Sequence, residues 1–404
     1  MKKILVLLLV SLIWNCEEEK KQQKLEVGTY RAVLEVQDNE ELPFIFEVKS
    51  PRELNIYNAE EVIEVDEIEY RNDSIFIKAP VFEGYIAAVF EGDNLKGSFI
   101  KESLDRIVPF KAIFKNENRF DAKSKPTQKV TGIWEIVFSP ESEDDAYIAK
   151  GIFAQDEEKV TGTFRTTTGD YRYLEGVMDG NEMKLSTFDG AHAFLFTAKV
   201  LDSTLEGQFY SGNHWKEPFV AKRNASYELP SANDLTFLKE GYNSVDFVFP
   251  NTSDELVGLK DDRFKDKVVI VQIMGTWCPN CLDESKYYAD YYNKNKDSDL
   301  EIIALAFEYA KDKETAFSRI DRLRSKIGIE YPILLAQYGT SDKAKAQEKL
   351  PMLNHVLSYP TSIFIDKTGK VRKIHTGFNG PATGEKYIEF KTEFEGFVGE
   401  LLAE

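Results

Sequence analysis

Two cysteines three positions apart, Cys278 and Cys281, lie in the run Gly275-Thr276-Trp277-Cys278-Pro279-Asn280-Cys281. The apolar stretch Val268 to Met274 comes just before them, and a stretch of helical character follows. A dithiol placed where a buried strand hands over to a helix performs thiol–disulfide exchange rather than holding zinc. Structural zinc calls for further ligands at metal spacing. The chain has no second C-x-x-C, and its four histidines are scattered. At a helix N-terminus Cys278 would face unpaired amide hydrogens and the positive end of the helix dipole, which favour the attacking thiolate. Pro279 suits the first turn, because it has no N–H to leave unpaired and its φ is already helical. Cys281, one turn in, is expected to be buried and to resolve the mixed disulfide. The redox carrier is then the Cys278–Cys281 disulfide itself, with no other cofactor and no metal.

Glu284 follows Cys281 by one helical turn, so its carboxylate could take the Cys281 proton as that thiol attacks. The alternative is an exposed helix glutamate, like its neighbour Asp283.

The elements that must position this site are legible from residue 244 onward. Strand-like apolar runs cover Val268–Met274, Leu300–Phe307 and Tyr331–Leu335. Helical spacing covers Cys281 to about Lys294, Lys313–Ile327 (ended by Gly328) and about Gly384 to Leu402. Ser362–Ile365 and Val371–His375 flank the turn Asp366-Lys367-Thr368-Gly369, a predicted hairpin. Such alternation implies an α/β layer fold around a central sheet.

The preceding half reads as all-β. Tyr30, Ala32, Leu34 and Val36 alternate with Arg31 and Glu35, and Asp179-Gly180 marks a hairpin. This half also repeats itself. Gly28-Thr29-Tyr30 matches Gly132-Ile133-Trp134, and Phe82-Glu83-Gly84 matches Phe188-Asp189-Gly190. Leu95 to Phe99 matches Leu205 to Phe209, and Pro109 to Ala112 matches Pro218 to Ala221. Two β-meander units are expected, over 27–118 and 128–224. They would be two small sandwiches or barrels, or the halves of one larger β structure. A linker or extended arm over 225–243 joins them to the redox domain, 244–404.

At the N-terminus Lys2 and Lys3 precede the apolar run Ile4 to Trp14. That run fits a signal-peptide core over 1–15 and is short of the ~20 residues of a membrane span. Cys16 follows, and then Glu17-Glu18-Glu19-Lys20-Lys21, so 16–26 reads as a polar tether. An exported chain meets an oxidising compartment, where cysteines free of structural bridges are available for exchange.

At 404 residues, with 42% hydrophobic and 13% aromatic content, the chain can build two or three cored domains. Its formal net charge of −18 argues against nucleic acid or anionic lipid headgroups as partners, since both need a basic face.

On these motifs the region 244–404 resembles the thioredoxin superfamily, and within it the TlpA/ResA-like envelope thiol–disulfide oxidoreductases. The resemblance rests on Trp277-Cys278-Pro279-Asn280-Cys281 after a buried strand, on Tyr359-Pro360-Thr361 before the hairpin, and on Glu284. It implies a cis Tyr359–Pro360 bond whose neighbouring backbone pairs with a client as an added strand. Trp277, Tyr359, Pro360 and Thr361 would then be the client-binding residues. Gln272 stands where ordinary thioredoxins carry a strand acid, which leaves Glu284 to handle protons. Disulfide-bonded client proteins and an upstream envelope thiol donor are the implied partners. The leader resembles a lipoprotein signal with Cys16 as the lipidated residue, although Asn15 and Trp14 replace the usual small residues. The acidic run after it resembles a surface-export tag. With the β-rich half, the whole chain is similar to TlpA-like lipoproteins of Bacteroidetes, lipid-anchored and extracytoplasmic. A peroxiredoxin-like peroxidase is the neighbouring class, but Thr276 stands two residues before Cys278 rather than three, and the motif's proline is missing.

A different function class comes from the second β repeat. His192, His214, Arg172 and Tyr173 gather there, and the first repeat has Tyr85 where His192 would align. They would form a ligand or partner site, making the chain an envelope binding lipoprotein with an accessory redox domain. His355 and His375, in the redox domain, are expected to be structural.

Overall fold

The computed structural model describes residues 22–404. The leader and Cys16 lie outside them. The described residues of the N-terminal half form two nine-stranded antiparallel sheets. The first comprises β1 (Gly28–Glu35), β2 (Glu41–Ser50), β3 (Glu53–Asn58), β4 (Glu61–Val65), β5 (Ile68–Arg71), β6 (Ser74–Lys78), β7 (Tyr85–Glu91), β8 (Asn94–Lys101) and β9 (Arg106–Phe114). Its order, β4-β3-β2-β1-β9-β8-β7-β6-β5, leaves β4 and β5 as unpaired edges. The second comprises β10 (Gly132–Phe138), β11 (Tyr147–Asp156), β12 (Lys159–Thr166), β13 (Gly169–Asp170), β14 (Leu174–Asp179), β15 (Glu182–Phe188), β16 (Ala193–Val200), β17 (Thr204–Ser211) and β18 (Trp215–Arg223). Here β11 also pairs with β12, so eight strands close into a barrel and β13 hangs from β12 as a two-residue extension. Barrels of this size are filled by side chains; Trp134, Phe138, Phe164, Phe196 and Phe219 fill this one, each at most 1% exposed.

The repeated motifs fall at equivalent register positions. Ala32 and Leu34 oppose Ala112 and Phe110 across β1–β9, and Ile136 and Phe138 oppose Ala221 and Phe219 across β10–β18. The two units also share a core. Phe44 stacks on Phe188 at 4.3 Å between ring centroids, and Asn58 exchanges hydrogen bonds with the Phe188 backbone. Arg119, in the connection between the units, is buried and donates to the Ser186 carbonyl and hydroxyl, the Pro43 carbonyl and the Asn58 amide oxygen. Leu25, placed in the polar tether by sequence, is buried in the first unit's core because its apolar side chain finds a pocket there.

The C-terminal region is thioredoxin-like. A five-stranded sheet runs β23-β22-β21-β24-β25, with β21 (Val268–Met274), β22 (Leu300–Phe307) and β23 (Ile333–Gln337) parallel, and β24 (Thr361–Ile365) and β25 (Val371–Thr376) antiparallel. Every residue of β21 and β22 is buried, as expected for parallel strands covered on both faces. Four helices accompany the sheet: α1 (Pro279–Lys294), α2 (Lys313–Ile327), α3 (Lys343–Lys349) and α4 (Glu385–Ala403). Their ends follow local rules. Asp312 caps α2 by accepting from Thr315 N–H at 2.7 Å, and Gly328 ends it at φ 70°. The sequence reading did not foresee α3 or the short hairpin β19 (Val248–Pro250) to β20 (Leu256–Gly258); both are too short to carry a periodic signal.

Residues 225–243 form an extended arm along the redox domain. Lys239 N–H donates to the Met352 carbonyl, Leu238 bridges to Leu353, and Thr236 is buried against Thr376. The first β unit is tied to α2 by ion pairs. Glu67 pairs with Arg322 and Lys326, Asp66 with Lys326, and Glu83 with Arg319. Among the described residues no helix is long and apolar enough to cross a membrane.

Candidate active site

The end of β21 and the start of α1 place the two cysteines. Cys278 is the N-cap of α1, extended at φ −100° and ψ 115°, and Pro279 is the first helical residue. The Cys278 Sγ accepts the Cys281 N–H at 3.2 Å. It also lies 3.4 Å from the Tyr359 carbonyl, to which its thiol donates. Both thiols are free; Cys278 is 6% exposed and Cys281 fully buried. Burial, then the hydrogen bond with Cys278, pushes the Cys281 thiol well above its ordinary value, and the charge of Glu284 adds to this. The Tyr359–Pro360 bond is cis.

Glu284 points inward, unlike the exposed glutamate weighed as its alternative. It is fully buried and its carboxylate is surrounded by donors. Gln272 Nε2 donates to Oε2 at 2.8 Å, Ser362 Oγ donates to Oε1 at 3.1 Å, and the Tyr288 hydroxyl lies 3.3 Å from Oε1. Burial outweighs these donors and raises the carboxyl to about 7. Gln272, at the strand position of the usual acid, therefore holds Glu284 instead of replacing it. Asp283 is not an exposed helix acid either, because it pairs with Arg172.

Trp277 and Tyr359 line the outer side of the motif. Their rings meet edge-on at 5.6 Å. Trp277 Nε1 donates to the Phe307 carbonyl at 2.9 Å. Thr361 directly follows the cis-proline. It is fully buried, its hydroxyl donates to the Ser358 carbonyl at 2.8 Å, and it is paired on both sides, with Ile273 and Thr376. Its side chain braces the cis-proline turn.

Sequence reasoning missed two participants and placed a third in a different site. Glu308, just past β22, is buried and accepts both Thr276 N–H and Thr276 Oγ1–H at 2.7 Å, fixing the turn that carries Trp277 and Cys278. Its only sequence signal is an acid ending an apolar strand. The Thr276 hydroxyl, the peroxiredoxin-like element, is thereby committed to Glu308. The second is the turn from β12 to β13. Ser358 Oγ donates to the Thr168 carbonyl at 2.8 Å, and Asn280 Nδ2 donates to the Asp170 carbonyl at 3.1 Å. A Cβ on Gly377 would sit 2.8 Å from the Thr168 carbonyl carbon. The second β unit thus covers the Asn280 side of the motif. The third is Arg172.

Arg172 was grouped with His192, His214 and Tyr173, and the structure divides that group. The Arg172 guanidinium is buried at a three-way junction, paired with Glu61 of the first β unit, Asp189 of the second and Asp283 of α1, and it donates to the Pro279 carbonyl at 3.3 Å. It is a junction residue because three carboxylates from distant segments converge on it. His192 touches Asp189 at 3.3 Å from the other side. His192 and His214 instead line a cavity against Trp277. His375 hydrogen-bonds Asn233 at 3.0 Å, away from the cysteines.

Comparison with known proteins agrees with this geometry. Residues 241–374 match the model of the AhpC/TSA family. The ResA thiol-disulfide oxidoreductase of Bacillus thuringiensis (strain Al Hakam) is 30% identical over 34% of this chain and 70% of its own length. That of Halalkalibacterium halodurans is 27% identical over 39% of this chain and 79% of its own. A solved thiol-disulfide oxidoreductase from Bacteroides fragilis NCTC 9343 aligns with 37% of this chain and 99% of its own, at 20% identity and a TM-score of 0.27. With a dithiol capping a helix after a buried parallel strand, a cis-proline turn against it, and a ResA relative 30% identical over 70% of its own length, the chain belongs to the ResA-like thiol-disulfide oxidoreductases, enzymes of the thioredoxin superfamily.

Proposed function

We propose that this protein is a cell-envelope disulfide reductase working through its C-P-N-C motif, with Cys278 as nucleophile, Cys281 as resolving thiol and Glu284 as the proton acceptor for Cys281. The observation that carries this reading is the Cys278 sulfur at the N-cap of α1, accepting the Cys281 amide at 3.2 Å beside the cis-proline turn. The Cys278 thiolate attacks a client disulfide, forming a Cys278–client bond and releasing one client thiolate. Glu284 removes the Cys281 proton, Cys281 attacks the Cys278 sulfur, and the second client thiolate leaves. Two electrons pass from the dithiol to the client, and the Cys278–Cys281 disulfide remains for an upstream thiol donor to reduce.

Burial disfavours the Cys281 thiolate, so Cys281 waits as a thiol until Glu284 takes its proton; the reducing direction is part of this proposal. Trp277, Tyr359 and Pro360 would meet the client, while Thr361 holds the turn. The clients are disulfide-bonded proteins outside the cytosol, and the chain is held to the membrane through lipid on Cys16. Cys281→Ser should trap clients on Cys278 as reductant-sensitive adducts, and Cys278→Ser should trap few. Equal trapping by both variants would overturn the assignment.

A further inference from the structure

The two sides of the C-P-N-C motif differ. Its Asn280 side lies under the β12–β13 turn. Its Trp277 side opens on a cavity of about 330 Å³ between the two β units and the redox domain. The volume would hold roughly ten waters. Phe99, Leu104 and Phe194 supply apolar wall, and Lys101, Arg106, His192 and His214 supply the polar groups; no carboxylate residue lines it.

That composition is unusual for a chain in which acids outnumber bases 69 to 51. Lys101 is 8% exposed, and the one hydrogen bond of its ammonium among the described residues is to the Ala191 carbonyl, at 3.0 Å. Among the described residues neither Lys101 nor Arg106 has a carboxylate within the 4.0 Å of an ion pair. The nearby acids are engaged elsewhere: Glu83 with Arg319 and Tyr309, Asp189 with Arg172 and His192, and Asp105 with Lys311. A buried cation without a counter-charge is costly. Desolvation accordingly lowers Lys101 to about 8, which still leaves it mostly charged at neutral pH, and lowers His214 to about 4, which leaves it neutral. The wall therefore presents two cations with no directly paired carboxylate, and the neutral His214 imidazole, in the cavity that Trp277 also lines.

We propose that this cavity is the substrate subsite for an anionic group, taking a carboxylate carried next to the disulfide that Cys278 attacks, with Lys101 and Arg106 as its counter-charges. This rests on the exchange reaction proposed above and adds a substrate preference to it: disulfides flanked by acidic groups.

The test uses the full chain in its reduced form and three small disulfides of similar size: 3,3′-dithiodipropionate (anionic), 2-hydroxyethyl disulfide (neutral) and cystamine (cationic). Each rate is divided by that of free dithiothreitol with the same disulfide. The wild type should favour dithiodipropionate over hydroxyethyl disulfide by about tenfold, against the repulsion expected from its net negative charge. Lys101→Met and Arg106→Gln should each remove most of that preference and leave the hydroxyethyl disulfide rate unchanged, which also reports an intact fold. Equal normalised rates for the three disulfides in the wild type, or an unaltered preference in both variants, would overturn the subsite while leaving the exchange reaction standing. No exchange with any of the three would overturn both.

Discussion

Replacing Glu284 by glutamine tests the part of the site that depends most on tertiary burial. The carboxyl titrates at about 7 in the folded chain against an ordinary 4.5. The folded state therefore holds a proton that the unfolded chain has already released across that window. With more protons bound to the native state, stability falls as pH rises from about 4.5 to 7. At 1.36 kcal/mol for each tenfold change, the loss amounts to about 3 kcal/mol. Glutamine fits the same space. Its carbonyl can accept from Ser362 and Tyr288, and a turned Gln272 amide can accept from its NH₂ while donating to Ser285. Glu284→Gln should match the wild type near pH 4.5 and exceed it by about 3 kcal/mol at pH 8 in urea unfolding under reducing conditions. The same variant should lose the limb of the exchange rate that rises through pH 7, because the acceptor for the Cys281 proton is gone. Parallel stability curves from pH 4 to 8 would refute the burial argument. An unchanged rate–pH profile would remove Glu284 from the reaction.

Arg172→Met should destabilise the full chain by about 3–5 kcal/mol in urea titration, since it strands Asp189 and Asp283 as buried charges. Glu308→Ala should cost about 3 kcal/mol by leaving both Thr276 donors unpaired, and should shift Trp277 fluorescence as the turn loosens. The fragment 24–224 should unfold cooperatively with a β-type circular dichroism spectrum, because Arg172 keeps Glu61 and Asp189 within it; a disordered fragment would mean that the β units need the redox domain. Cys16→Ala should abolish incorporation of labelled palmitate, and a wild-type chain that takes up none would remove the lipid anchor.

What the sequence determined by itself is local. Cys278 and Pro279 at the start of α1, Asp312 and Gly328 at the ends of α2, and the Asp366–Gly369 turn are all set by residues within four positions of one another, where propensity and hydrogen bonding act without the rest of the chain. The β repeat was legible for a related reason: alternation along a strand records which face is buried, so matched motifs reappear at matched register. The pairing of Glu67 with Arg322 and of Asp66 with Lys326, over 250 residues away, was not legible. Tertiary structure alone decided which charges are buried. Glu284 and Asp283 are neighbours on one helix; one faces Gln272 and Ser362 and titrates near neutrality, while the other meets Arg172 from the second β unit. Helical spacing places each on a face of α1, but the dielectric and the counter-charge on that face come from segments docked from elsewhere. The same holds for Lys101 and Arg106, two ordinary surface-type residues on adjacent strands until the second β unit and Trp277 close a cavity over them.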